Sequence, residues 1–168
     1  MARSSTSEAA PRPARFAIRE LAARDREAWR ALWQGYCDFY QTAVADDVTD
    51  ATWGRLLDPA QPMIGLVACD AADRPVALAH CVLHLNTWTD RPVCYLEDLF
   101  VAPEARCGGA ARALIEALAE RGRREGWFRL YWMTKADNHR ARALYDRVGK
   151  LTDWVRYDMP LQAWEGSP

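Results

Sequence analysis

Two carboxylates stand side by side in an apolar run. In Tyr95-Leu96-Glu97-Asp98-Leu99-Phe100-Val101, Glu97 and Asp98 are the only charged residues. Acids in such a run are costly to bury unless each is paired or used. Used, they would do proton transfer: a carboxylate can take a proton from an amine about to attack. Unused, they would be strand-end partners for an arginine. Neighbours on a regular strand point to opposite faces, so at most one of the two faces a cleft.

A turn with Pro103, Arg106 and Gly108-Gly109 follows, and a helical pattern begins at once. The first N–H groups of a helix lack partners within it, so a glycine turn there can hold an anion. Arg106 and Arg112 add positive charge. No G-K-[ST] follows and no G-x-G-x-x-G is present, which argues against a nucleoside triphosphate loop or a dinucleotide fingerprint. Further on, Asn138 and Tyr145 lie seven residues apart, two helical turns, with Ala141 on the same face. Such a tyrosine can pack in the core or carry a proton.

The elements that position these groups follow from hydrophobic spacing. Residues 1–14 are small, polar and proline-containing, and read as a disordered tail. The spacing predicts strands over 16–21, 63–69, 76–89, 93–101, 128–134 and 154–161. It predicts helices over 24–40, 46–57, 109–124 and 138–148. Asp90-Arg91-Pro92 is the expected turn between the third and fourth strands. The run 128–134 is mostly apolar, which suits a central strand. Residues 93–134 make a strand–helix–strand unit, whose two strands would be parallel.

The 168 residues are half hydrophobic, enough for one cored domain, and the net charge of −1 gives no case for nucleic acid. No apolar run approaches the ~20 residues of a membrane span. Five cysteines at unpaired spacings read as reduced thiols in a cytoplasmic protein. His80 and His84 lie on one strand, ~13 Å apart, too far to share a metal ion. With Asn86 and Trp88 they share a face that would be solvent or substrate wall.

These pieces in this order resemble the GNAT superfamily of acetyl-CoA-dependent N-acetyltransferases. The family's phosphate loop reads [Q/R]-x-x-G-x-[G/A] after a strand, and Arg106, Gly109 and Ala111 match it. Asn138, Tyr145 and Gly149 match the family's Asn, its Tyr seven residues later and its closing Gly. The Glu97-Asp98 strand looks most like the spermidine/spermine-type branch. Other elements look like relatives of the yeast histone/polyamine/D-amino-acid acetyltransferases. Two positions depart: Cys107 stands where the loop usually has its first Gly, and Gly149-Lys150 replaces Gly-Phe.

The resemblance implies an α/β (α+β) fold: an antiparallel meander, then a βαβ unit, a mixed sheet of six to seven strands and four main helices. One domain would cover 15–168. Acetyl-CoA is the implied cosubstrate, with no metal. Its pyrophosphate would lie on Arg106, Cys107, Gly108, Gly109, Ala110 and Ala111, near Arg112. Its arm would run along Leu99, Phe100 and Val101, with Asn138, Ala141 and Arg142 beside it. Glu97 is the first choice of base and Asp98 the second, with Tyr145 as acid. Trp33, Tyr36, Asp38, Tyr40, His84 and Trp88 are candidate walls for a cationic small-molecule amine such as a polyamine or amino acid. The alternatives are a protein lysine or N-terminal acetyltransferase and a non-catalytic acetyl-CoA-binding domain. Many relatives are dimers, which makes a homodimer the expectation.

Overall fold

A computed structural model describes residues 15–161; the tail expected over 1–14 lies outside them. Strands β1 (Ala17–Glu20), β2 (Met63–Cys69), β3 (Pro75–Asn86), β4 (Thr89–Val101) and β5 (Arg129–Trp132) form one sheet in that order. The first four pair antiparallel and β4 pairs β5 in parallel. Helices α1 (Arg26–Tyr40) and α2 (Asp46–Leu57) lie between β1 and β2; α3 (Ala110–Glu125) crosses from β4 to β5; α4 (His139–Val148) follows. This is the expected meander, βαβ unit and four helices.

Alternating side chains build two cores. Leu66, Ala79, Cys81 and Leu96 pack on Leu114 and Leu118 of α3. Val67, Leu78 and Phe100 pack on Trp29 and Leu32 of α1 and Trp53 of α2. Gly35 brings α1 against β4: a Cβ there would stand 2.7 Å from the Phe100 ring. The start of α1 is tied down by Asp25, whose carboxylate accepts from Arg19 at 2.6 and 2.9 Å and from the Ala22 N–H. Arg19 holds that carboxyl below its usual range.

Three expectations are corrected. The sheet has five strands among the described residues, fewer than the six to seven expected, because 154–161 forms no strand. Its alternating pattern suits a strand, but a strand also needs a neighbour to take its backbone groups. The turn after β3 is Thr87-Trp88, since Asn86 already pairs with Thr89. There the Asn86 side-chain oxygen accepts the Trp88 N–H at 2.8 Å. And β5 is the last strand of the sheet, not a central one.

The turn from β4 to α3 is strained at one point. Gly109, the cap of α3, has φ +91°, where glycine is at ease. Cys107 has φ +62° and carries a side chain into the same left-handed region, at a cost of about 1 kcal/mol. Cys107→Gly is expected to raise stability by up to about 1 kcal/mol, and Cys107→Val to lower it by about as much or more. Denaturant midpoints check this; equal stability of the two variants would refute the strain.

Candidate active site

The site begins with one extra residue in β4. His80 pairs with Asp98 and Cys81 with Leu96, so Glu97 has no partner on β3 and bulges. A bulge reverses the alternation. Before it, Cys94 and Leu96 face α3; after it, Leu99 and Val101 face α3 while Phe100 joins the α1 core. Asp98 therefore turns toward α1, where His80 Nδ1 meets its Oδ2 at 2.9 Å. Glu97 keeps the phase of Tyr95, opposite Leu96. Burial and then the Asp98 charge raise the Glu97 carboxyl above its usual range, although the side chain remains exposed. The regular-strand expectation, that the two acids face apart, is thus overturned by the bulge.

The second feature is an opening. The β4–β5 ladder ends at Leu96 and Trp132, but β4 continues to Val101. From Glu97 onward the β5-facing edge of β4 has no strand partner. Leu99 borders a cavity of about 20 Å³ there, with Tyr36, Tyr40, Glu97, Trp132 and Tyr145. That is room for about one water. Tyr145 meets Trp132 edge-on, centroids 5.5 Å apart, and burial pushes its hydroxyl up to about 12. It keeps its proton through the neutral range, as an acid must.

The third feature is the α3 N-terminus, which carries no side-chain cap. Its first N–H groups face the turn built by Arg106, Cys107, Gly108 and Gly109. Arg106 Nε donates to Val101 O at 3.1 Å, closing the turn onto the end of β4. Gly108 packs against Phe16, Ala110 is buried, Ala111 is half-buried, and Arg112 bonds Glu116 on the surface. Arg140 of α4 reaches Cys107 Sγ at 3.5 Å, so α4 touches this turn as well.

Other candidates are placed differently from expectation. Asn138 caps α4: its Oδ1 accepts from Ala141 N, and its Nδ2 donates to Thr134 Oγ1. Arg142 is tied to Ala136 O at 2.7 Å. The Phe100 ring is core, so only its backbone is available. Trp33, Tyr36 and Tyr40 do come together as a ladder along α1, with ring centroids 5.3 and 4.9 Å apart. Asp38 is exposed and bonded to Gln34. His84 packs on Tyr131, ~13 Å along the strand from the level of Glu97. Trp88 is 76% exposed in the hairpin turn, ~26 Å or more along β4 from Glu97, and walls no part of the cleft.

Beside the small cavity lies a wider one of about 400 Å³, sharing Tyr40 and bordered by Phe39, Lys135, Asn138, His139 and Arg140. Sequence reasoning missed Lys135 and Arg140, which sit in or just after a loop with no motif. It also missed the Trp29–His80 contact described below. Among the described residues no group of three or more His, Cys, Asp or Glu side chains is placed to hold a metal ion.

The arrangement can hold an extended acyl carrier along the free β4 edge, its phosphates at the α3 N-terminus. Comparison with known proteins agrees. Residues 20–149 match the acetyltransferase (GNAT) family model. The chain is 35% identical over 144 residues to the D-amino-acid N-acetyltransferase HPA3 of Saccharomyces cerevisiae, covering 85% of this chain and 89% of that protein. It is 41% identical over 79 residues to the thialysine N-epsilon-acetyltransferase of Caenorhabditis elegans, covering 44% and 49%. In fold it is similar to a crystal structure of a probable acetyltransferase (TM-score 0.79, 20% identity, 88% and 99% covered). It is similar likewise to an aminoglycoside acetyltransferase from an uncultured soil metagenomic sample (TM-score 0.74, 16%, 88% and 97%). The open β4 edge, the uncapped helix turn and the family match over 20–149 together make this chain a member of the GNAT family, an acetyl-CoA-dependent N-acetyltransferase.

Proposed function

We propose that the acceptor is the primary amine of a small molecule, and that Glu97 and Tyr145 carry the proton transfers. The observation that carries this reading is that both side chains line one water-sized cavity at the end of the β4–β5 ladder. The named sequence relatives act on D-amino acids and on thialysine. An amino acid suits the two cavities too. Its ammonium would sit by the carboxylates, and its carboxylate by Lys135 and Arg140 in the wider one. Trp33 and Tyr36 supply aromatic faces for the cation, while Lys135 Nζ already lies 5.6 Å over the Tyr40 ring. A single catalytic domain in the cytoplasm fits the rest of the chain.

Acetyl-CoA would be held by the N–H groups of residues 107–111, that of Arg106 being taken by Pro103 O at 3.3 Å, and by the β4 edge at Leu99–Val101; when bound it supplies an activated acetyl group. The protein's own groups do the rest. An alkylammonium has a pKa near ~10 and must lose a proton before it attacks. The Glu97 carboxylate, through a water in the small cavity, is the acceptor. Its raised proton affinity makes it a better base than an ordinary glutamate. Backbone N–H groups at the β4 edge polarise the reacting carbonyl. Tyr145 Oη delivers a proton to the leaving sulfur.

We also infer a homodimer. Leu151, Trp154, Val155, Tyr157, Met159 and Leu161 are each 71–90% exposed. Val155, Tyr157, Met159 and Leu161 alternate as strand residues do, yet pair with no strand among the described residues. The sheet ends on β5, whose outer edge carries no strand. A second copy offers the same edge and the same segment.

Four outcomes are expected. A panel of D- and L-amino acids, polyamines and lysine peptides assayed for thiol release should be led by an amino acid or other small amine; turnover with peptides alone would overturn the reading. Glu97→Gln should cut kcat/KM about 100-fold or more. It should also remove the acid limb, since wild-type activity falls as pH drops through the raised Glu97 value. Tyr145→Phe should lower kcat about 10- to 100-fold, because a thiolate leaves readily even unassisted; full turnover at every pH would refute the acid role. Light scattering should give a dimer for the full chain and a monomer for Val155→Asp/Tyr157→Asp; a monomeric wild type would refute the dimer.

A further inference from the structure

The most completely buried polar or charged residue among the described residues is a histidine that the reaction as described does not use. His80 is 1% exposed, in the middle of β3. Both of its ring nitrogens are engaged: Trp29 Nε1 donates to Nε2 at 2.8 Å, and Nδ1 faces Asp98 Oδ2 at 2.9 Å. An indole N–H can only donate, so Nε2 must present its lone pair. The one remaining ring proton is then on Nδ1, where it donates to Asp98. Trp29 is itself fully buried, stacked with Trp33 at 3° and packed on Trp53, so the donor cannot swing away. The chain Trp29→His80→Asp98 therefore has one direction and a neutral imidazole.

Asp98 is the residue the bulge places next to Glu97. We propose that His80, locked as its Nδ1–H tautomer by Trp29, is a positioning residue: it aims the Asp98 carboxylate so that Asp98 and Glu97 together receive the substrate ammonium. His80 touches no substrate and acts through Asp98. Other groups around this pair are Tyr36, Cys37 and Tyr40 from α1, Cys81 from β3, Tyr95 from β4 and Arg156 beyond α4. None of these is a hydrogen-bonded imidazole with a fixed tautomer. The Tyr36 hydroxyl, raised first by burial and then by the Asp98 charge, keeps its proton and also hydrogen-bonds Asp98, so it is a second donor there beside His80.

The position of His80 therefore suits neither an apolar residue nor a lysine. A leucine would fill the volume but remove the imidazole donor, leaving Asp98 only the Tyr36 hydroxyl. A lysine would bring a second cation to a site meant for the substrate's. An asparagine keeps an N–H near the Nδ1 position at the cost of volume. Packing and positioning therefore rank the two replacements oppositely: packing favours leucine, positioning favours asparagine.

The test uses the full chain with acetyl-CoA and its best amine. His80→Asn is expected to keep kcat/KM for the amine within about 5-fold, and His80→Leu to lose at least ~10-fold, with KM for acetyl-CoA unchanged in both. Equal losses, or a better leucine variant, would overturn the proposal. Imidazole ¹⁵N NMR of the wild type gives a reading independent of variant folding and of turnover. It should show a protonated Nδ1 and a bare Nε2; a doubly protonated ring, or the other tautomer, would overturn it. The proposal rests on Glu97 and Asp98 forming the acid end of the cleft. Glu97→Gln tests that separately, so a failed base assignment is distinguishable from a failed role for His80.

Discussion

One unpaired residue in β4 governs the active site. Without the bulge at Glu97, strict alternation would continue from Cys94 and Leu96 through Asp98 and Phe100. Asp98 would then point into the α3 core, among leucines, with no donor to meet it. Leu99 and Val101 would face α1 in its place. Inserting a single residue exchanges these sets and puts an acid where β3 offers a histidine. It also gathers two carboxylates on one face, which no regular strand can do with sequence neighbours. The local cost is a disrupted ladder. The cost is tolerable because β3 and β4 still hold nine cross-strand pairs, from Ala77↔Val101 to Asn86↔Thr89, even with a further register shift between His84 and Asn86.

The same strand ends the sheet's regularity on its other side. β5 stops at Trp132, so the bulged half of β4 has neighbours only on the β3 side. Backbone groups left open in a protein interior are a liability unless something pairs with them. Here a ladder that stops short, a helix with an uncapped N-terminus and a turn closed by Arg106 lie in succession along one path. Each alone is common. In series they make a track for an extended chain that ends in negative charge. The strained angle at Cys107 falls in the turn that leads into α3.

How much of this was legible depended on the range of the interactions. The meander, the βαβ unit and all four helices were readable, because apolar spacing and glycine turns are local signals. Glu97, Asp98 and Tyr145 stood out for the same reason, as acids in an apolar run and a tyrosine seven residues from an asparagine, and the structure brings Glu97 and Tyr145 to one cavity. The bulge was not readable, since nothing within Leu96–Leu99 distinguishes an extra residue from a regular one; the register is fixed by β3. Asn138 looked like a ligand contact and is a helix cap, a role set by whether the chain before it is extended. Trp88 shared a strand face with His80 by parity, but parity carries no information about distance along the strand. Residues 154–161 had a strand's pattern and lacked a partner, which only the sheet can supply.

The aromatic content of α1 follows from the acids it covers. A carboxylate near a helix face is poorly served by aliphatic side chains, which neither donate to it nor tolerate its charge. Trp29 reaches it indirectly through His80, and Trp33, Tyr36 and Tyr40 continue the ladder toward the cavity. Indole and phenol rings bury apolar area as leucines would, and each ends in a donor. They also present negative faces to a cation. So the stripe that glues α1 to the sheet at Trp29 becomes, two turns later at Tyr36, the wall of the amine site. Core and cleft are one continuous surface of the same helix. That is why substitutions at the buried end, far from any substrate, should be felt at the carboxylates.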